Sequence, residues 1–561
     1  MRLLNTTTLR LEEFIDDIAP PYAILSHTWE QDEVTFDDIT HERPGYKSKA
    51  GYAKIAKTCQ EAKRYGMTHA WVDTCCIDKS SSAELTQALN SMFHWYREAR
   101  VCYAFLADLE PKKAGRVEDQ LPGCKWFTRG WTLQELIAPT RIYFYDKDWA
   151  CRGTRQALAV TLSAITRIDL PVLEQWSAGP LALGHIPVAR RMAWAAHRTT
   201  TRVEDRAYSL LGIFGVNLPL LYGEREGAFI RLQEEIMRQR NDLSVLAWKM
   251  PAAAGAVATA GDGASSSSGS PAYSGVLAPS PEAFEHAANV VFCREPEANP
   301  EFAMTNKGLR MAIAARADKH EHHLLPIGCA HKGVILEELA VPLVMYKPGI
   351  YARASPSDLG LARGKDKQRG LLAARPPPHE RYLAKAIPPT LDVAAERNRL
   401  RASAFSFDFG EQQRRRKGYP PYFRYESTSR PVMWDEDNML YYKNFPSVNF
   451  TARHLFTAAG EGLGGRFLLL FGLEKDKPWA GLASRWSHGR TFDALLDASF
   501  ELLEPAVMRE VQELEFRRVR EGSVYGPDSD GDYVRFRVRV ALVTKSVNGF
   551  QTHCVSLEVV R

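Results

Sequence analysis

Tyr22-Ala23-Ile24-Leu25-Ser26-His27-Thr28-Trp29 follows Pro20-Pro21 and opens on a nearly continuous apolar run. A short run without polar alternation is the signature of a strand covered on both faces, as in a parallel sheet. Ser26 to Trp29 then stand at its carboxyl end. Ala70-Trp71-Val72, ended by Asp73, repeats the pattern, as do Val101 to Leu106 and Arg141 to Tyr145. Between these runs the period changes. Tyr52, Ile55, Cys59 and Ala62 predict a helix from about Ser48 to Tyr65, stopped by Gly66. Ser81-Ser82-Ala83-Glu84 has capping-box spacing ahead of the apolar stripe Leu85, Leu89, Met92 and Tyr96. Strands alternating with helices predict a parallel α/β sheet. Ligands of such sheets bind outside the carboxyl ends of the strands, and Ser26, His27, Trp29, Asp73 and Asp78 all fall on segments leaving those ends.

Trp126-Phe127-Thr128-Arg129-Gly130-Trp131-Thr132-Leu133-Gln134-Glu135-Leu136-Ile137-Ala138-Pro139 predicts a helix of about two turns, with Thr128 as N-cap and Pro139 as stop. Trp131 and Glu135 are four residues apart and share a face, while Leu133, Leu136 and Ile137 take the other. Taken alone, the pair reads as a core tryptophan and a solvated glutamate. The stretches around it change that reading. Tyr22 to Trp29, Ala70-Trp71-Val72-Asp73-Thr74-Cys75-Cys76-Ile77-Asp78, Arg100 to Asp108 and the Trp131 helix, in this order over roughly residues 22 to 138, resemble the heterokaryon-incompatibility (HET) domain of filamentous fungi. A second block, Arg198-Thr199-Thr200-Thr201-Arg202-Val203-Glu204-Asp205-Arg206-Ala207-Tyr208-Ser209-Leu210-Leu211-Gly212-Ile213-Phe214 with Leu221-Tyr222-Gly223-Glu224, is similar to what commonly follows that domain.

The resemblance implies a TIR/flavodoxin-like fold. Trp131-Thr132-Leu133-Gln134-Glu135-Leu136 looks like the Trp-Cys-Leu-x-Glu-Leu pattern of TIR domains, with Thr132 in place of the cysteine. In TIR members that cleave NAD+ the glutamate is catalytic, a role the resemblance gives to Glu135. NAD+ is then a substrate, and no cofactor is implied. Breaking the nicotinamide bond develops an oxocarbenium-like ribose that a carboxylate stabilises, as in glycoside hydrolysis. Substrate binding falls to Trp131 or Trp29 for stacking, to Arg129 or Lys79 at the pyrophosphate, and to Ser26, His27, Asp73 and Asp78 at the strand ends. By the same resemblance the protein acts in non-self recognition and programmed cell death. Its partners are then copies of itself or other incompatibility proteins. Two alternatives stay open: a non-catalytic module that assembles with other domains, and a regulatory protein with no part in incompatibility.

Composition sets the outer limits. A chain of 561 residues is too long for one core. Its net charge of +5, from 72 basic and 67 acidic residues, excludes nucleic acid as an expected partner. Nine cysteines without a CxxC pair fit free thiols in a reducing compartment, so a cytoplasmic protein with no metal site is expected. Ala207 to Gly223 is uncharged but broken by Gly212, Gly215, Asn217 and Pro219, which reads as a buried helix and a loop and leaves no membrane span. Residues 1–148 are expected to form the HET domain. Residues 149–250 form a helical extension, with helices over Arg190 to Thr199, Glu204 to Phe214 and Glu224 to Gln239 before a strand at Leu243 to Trp248. An Ala/Gly/Ser-rich linker takes residues 251–274. Residues 275–561 read as β-rich, from the alternation in Arg535 to Val540 and the Asn548-Gly549 hairpin signal, with a disordered insertion near 352–389. Ser26-His27 with Asp73 lacks the geometry of a hydrolase triad, because neighbours on a strand point to opposite faces. Cys75-Cys76, His320-Glu321-His322-His323, Arg414-Arg415-Arg416-Lys417 and Asp528 to Asp532 are weaker signals, read as buried thiols, an incidental tract, an isolated basic run and a turn.

Overall fold

The computed structural model describes residues 1–15, 18–111, 115–175, 180–250, 273–313, 316–317, 323–334, 337–363, 379–388, 390–402 and 404–408, and beyond these only the strands at 423–428, 434–435, 440–441, 450–460, 463–474, 477–483, 513–519, 533–547 and 550–560. The Ala/Gly/Ser run, the Arg375 to Pro378 stretch, Arg414 to Lys417, Asp528 to Asp532 and Asn548-Gly549 lie outside the described residues.

The N-terminal region is built on seven strands: β1 (Arg2–Asn5), β2 (Leu11–Glu13), β3 (Tyr22–His27), β4 (His69–Trp71), β5 (Val101–Phe105), β6 (Ile142–Tyr145) and β7 (Cys151–Thr154). Their order is β2-β1-β4-β3-β5-β6-β7. The centre, β4-β3-β5-β6, is parallel, with Ser26 opposite Ala104 and His27 opposite Phe105. All residues of β3 and β5 are buried, which is why both read as unbroken apolar runs. The sheet is nevertheless mixed: β1 runs antiparallel to β4 and β2, and β7 runs antiparallel to β6.

Six helices connect these strands: α1 (Phe36–Thr40), α2 (Tyr52–Arg64), α3 (Asp73–Cys76), α4 (Ser82–Glu98), α5 (Val117–Gln120) and α6 (Thr132–Ile137). Ser81 caps α4 by accepting from the Glu84 N–H, but Glu84 does not return the bond that a capping box requires. Its carboxylate instead meets Arg2 and the Asp78 N–H, tying α4 to β1.

The extension adds α7 (Ala159–Thr166), α8 (Leu170–Gln175), α9 (Val188–Ala193), α10 (Asp205–Tyr208), α11 (Leu211–Phe214) and α12 (Gly227–Gln239). It departs from the sequence reading in three places. The helix expected over Arg190 to Thr199 closes at Ala193, because Thr199 is taken into a bridge with Arg129. The helix expected from Glu204 to Phe214 divides at Ser209 and Leu210. Leu243 to Leu246 winds into a 3-10 turn rather than a strand, because the Asp242 carboxylate accepts from the Ser244 N–H at 2.9 Å and the Val188 N–H at 2.8 Å. Gly212 lets α11 press against α4: a Cβ there would stand 2.1 Å from the Phe93 Cβ. Among the described residues no helix is long and apolar enough to cross a membrane.

The C-terminal region is β-rich. Its largest sheet includes Ile350–Ala354, Gly360–Arg363 and His379–Leu383, so parts of the expected insertion are paired strands. Tyr533–Val547 and Phe550–Val560 pair antiparallel with Val547 opposite Phe550. Buried Arg353 joins the two regions. It donates to the Leu246 carbonyl at 2.9 Å and lies 3.9 Å above the Trp248 ring.

Candidate functional site

Two clusters form where β3 leaves the sheet, and the alternation of a strand separates them. Ser26 faces α6. Its hydroxyl donates to Glu135 Oε2 at 2.5 Å and accepts from the Trp126 indole at 2.8 Å. Tyr96, read in the sequence only as part of an apolar stripe, hydrogen-bonds Glu135 and donates its own proton to the Leu25 carbonyl at 2.9 Å. Glu135 is 5% exposed, and burial pushes its carboxyl up to about 8; Asp73 adds to the rise, while the Ser26 and Tyr96 bonds and Arg129 oppose it.

The α6 helix is held at both ends. Its first turn does not start at Thr128 as the sequence suggested. Thr128 closes a 3-10 turn, Arg129 is extended in its bridge to Thr199, and α6 begins only at Thr132. The Gly130 N–H donates to the Thr199 carbonyl at 2.9 Å, and Arg198 Nη1 donates to the Arg129 carbonyl at 2.8 Å and to Thr132 Oγ1 at 2.9 Å. At the other end the fully buried Arg155 donates to the carbonyls of Leu136 at 3.0 Å, Ile137 at 3.2 Å and Pro139 at 2.8 Å.

His27 faces the second cluster. Its Nδ1 lies 3.8 Å from Asp73 Oδ1 and its Nε2 lies 3.8 Å from Glu33 Oε1. Neither nitrogen has a hydrogen-bond partner, and burial holds the imidazole below its ordinary range. Glu33 also binds Lys54 at 2.6 Å. Asp73 Oδ2 accepts from the Trp29 indole at 2.7 Å, and Lys79 Nζ lies 3.4 Å over the Trp29 ring. Trp29 is 48% exposed and is the open aromatic surface at this edge.

Of the residues singled out in the sequence, Ser26 and Glu135 therefore meet directly, and His27, Trp29 and Asp73 form their own group beside them. Trp131 and Asp78 stand apart. The Trp131 indole reaches Asp205 of the extension and favours its charged form. Asp78 binds the Ser80 N–H and hydroxyl in a turn. Arg129 joins through its backbone and lies within electrostatic reach of Glu135. Trp126, Tyr96, Glu33, Lys54, Arg155 and Arg198 carry roles that spacing did not disclose. Trp126 and Arg198 had stood only as the first residues of quoted blocks, and Tyr96 only in the α4 stripe. His323 begins a strand and is buried, and no cluster of three or more metal-type ligands occurs among the described residues.

Residues 22–121 match the family described as Heterokaryon incompatibility protein (HET), and residues 227–314 match one described as a domain of unknown function, DUF8212. Vegetative incompatibility protein HET-E-1 of Podospora anserina is 49% identical over 225 residues, which is 39% of this chain and 16% of that protein. The chain thus spans about a sixth of that relative's length. The crystal structure of Xerocomus chrysenteron lectin XCL aligns with 28% of this chain and 94% of its own at 14% identity and a TM-score of 0.17, too low to bear on the fold. The family match gives residues 22–121 a likeness to the HET domain, with the His27 cluster inside that segment and Glu135, Arg155 and Arg198 beyond it.

Proposed function

We propose that the protein acts in heterokaryon incompatibility, joining non-self recognition to programmed cell death, and that Glu135 is the working acid of its N-terminal TIR-like domain. The reaction class is cleavage of the glycosidic bond of NAD+. The observation that carries this reading is the meeting of Ser26, Tyr96 and Glu135 at the carboxyl end of β3. The parallel centre β4-β3-β5-β6 also has the strand order of flavodoxin-like sheets, whose ligand crevice lies between the strands corresponding to β3 and β5. A buried acid with a strongly raised pKa at such a crevice is the kind of group that marks a functional site.

For catalysis Glu135 must leave its neutral, enclosed state and become a carboxylate beside the ribose. Self-association or contact with another incompatibility protein would supply that opening. Trp29 would stack on a base, and Lys79 or Arg129 would meet the pyrophosphate. A second reading, the non-catalytic assembly module, is favoured by one observation: Glu135 is 5% exposed. Free nicotinamide measured after incubating purified full-length protein with NAD+, alone and under conditions that promote self-association, separates the two. Release that Glu135→Gln abolishes supports the enzyme. Killing that persists in a folded Glu135→Gln protein supports the module.

A further inference from the structure

The Thr132 hydroxyl stands where the TIR pattern has a cysteine, and it accepts from a side chain 66 residues further on. That side chain is Arg198, 5% exposed, with one nitrogen, Nη2, left without a hydrogen-bond partner. Among the described residues no carboxylate lies within ion-pair distance of it. A buried guanidinium without a counter-charge is costly, and four fully or nearly buried arginines here, Arg155, Arg191, Arg198 and Arg353, are held by backbone carbonyls instead. Arg198 differs from the other three in having Glu135 as the acid within its electrostatic reach.

We infer that Arg198, supplied by the block that follows the matched domain, is a positioning residue of the candidate site: it fixes the first turn of α6 and balances the charge of Glu135 when the proton leaves. The mechanical link is a continuous chain of hydrogen bonds. Arg198 donates to Thr132 Oγ1, Thr132 donates to the Trp126 carbonyl, the Trp126 indole donates to Ser26, and Ser26 donates to Glu135. The electrostatic link is set by what surrounds Glu135. Asp73, Tyr96 and Cys102 approach it from α3, α4 and β5; Arg129 favours its charged form, and Glu135 in turn favours the charged form of Arg198. Arg129 is half-buried and exposed to screening, whereas Arg198 is enclosed, so Arg198 is the cation whose field water does not damp. The site is on this view composite. It is incomplete in residues 22–121 and needs the Arg198 block to hold its acid in place.

The inference rests on Glu135 being the acid of the site, as proposed above, but its test needs no turnover. Titration of the infrared band of the protonated carboxyl in the full-length protein, assigned by its loss in Glu135→Gln, reads the ionisation of Glu135 directly. Arg198→Gln deletes the charge and shortens the side chain, so Arg198→Lys, which keeps the charge, is read beside it. Arg198→Gln should move the Glu135 midpoint upward, and Arg198→Lys should leave the midpoint near the wild-type value. A midpoint unchanged in folded Arg198→Gln overturns the inference. If Arg198→Gln folds too poorly to titrate, the double variant Arg198→Gln/Glu135→Gln decides. Recovery of folded protein at alkaline pH supports a charge-balancing role, and equal losses in both backgrounds show a purely structural one. Absence of NAD+ cleavage would remove the reaction proposed above without touching either result.

Discussion

Glu135→Gln is expected to stabilise the protein in a pH-dependent way. Burial pushes the native carboxyl from 4.5 up to about 8, so between those values the native state holds a proton that the unfolded chain has released. Unfolding therefore becomes easier as pH rises through this window, and the loss is complete above about 8. One unit corresponds to about 1.4 kcal/mol, which puts the cost of keeping Glu135 neutral at pH 7 on the order of 3 kcal/mol. Glutamine avoids that cost, because its amide is neutral at every pH and its carbonyl can accept from Ser26 as the acid does. For a unit of 150 to 250 residues the gain corresponds to roughly 6 to 12 °C in unfolding midpoint at pH 7. Calorimetry of wild type and Glu135→Gln from pH 4 to 9 is the assay, read on the transition of the N-terminal region. The two midpoints should converge near pH 4.5 and separate progressively toward pH 8. A constant difference across that range would show that Glu135 is not held neutral.

Ser26→Ala should destabilise the N-terminal region by about 1 to 3 kcal/mol, because it leaves the Trp126 indole and Glu135 buried without their shared partner; urea titration of that transition measures it. Arg155→Met strips the donors from three buried carbonyls at the end of α6, and a loss of at least about 3 kcal/mol is expected from the same titration. A change below about 0.5 kcal/mol would mean that α6 is held chiefly by its packing.

The parts of the fold legible in the sequence are those where burial is uniform along an element. β3 and β5 are enclosed on both faces, so their apolar runs had no competing explanation. The stripe of α4 and its Ser81 cap were equally plain. The antiparallel flanks β1, β2 and β7 are three or four residues long and half-exposed, too short to set up a period. Leu243 to Trp248 is as apolar as a strand, and only a distant demand on Asp242 by Val188 winds it into a turn. The i to i+4 spacing of Trp131 and Glu135 put both on one face of the helix, but it could not reveal that Trp131 would reach Asp205. Nor does spacing show that a helical glutamate is enclosed. That depends on Ser26, Trp126 and Tyr96 arriving from three other segments. Arg155 and Arg198 act through backbone carbonyls, and a carbonyl leaves no residue-type signal in a sequence.

Release of nicotinamide from NAD+ by the full-length protein, compared with Glu135→Gln under conditions that promote self-association, tests the central claim most directly. Catalysis by an exposed Glu135 carboxylate predicts release by the wild-type protein and a fall on the order of 10²-fold or more in Glu135→Gln, with cell killing falling in parallel. No release from self-associated wild-type protein, or killing that continues undiminished in folded Glu135→Gln, would contradict it.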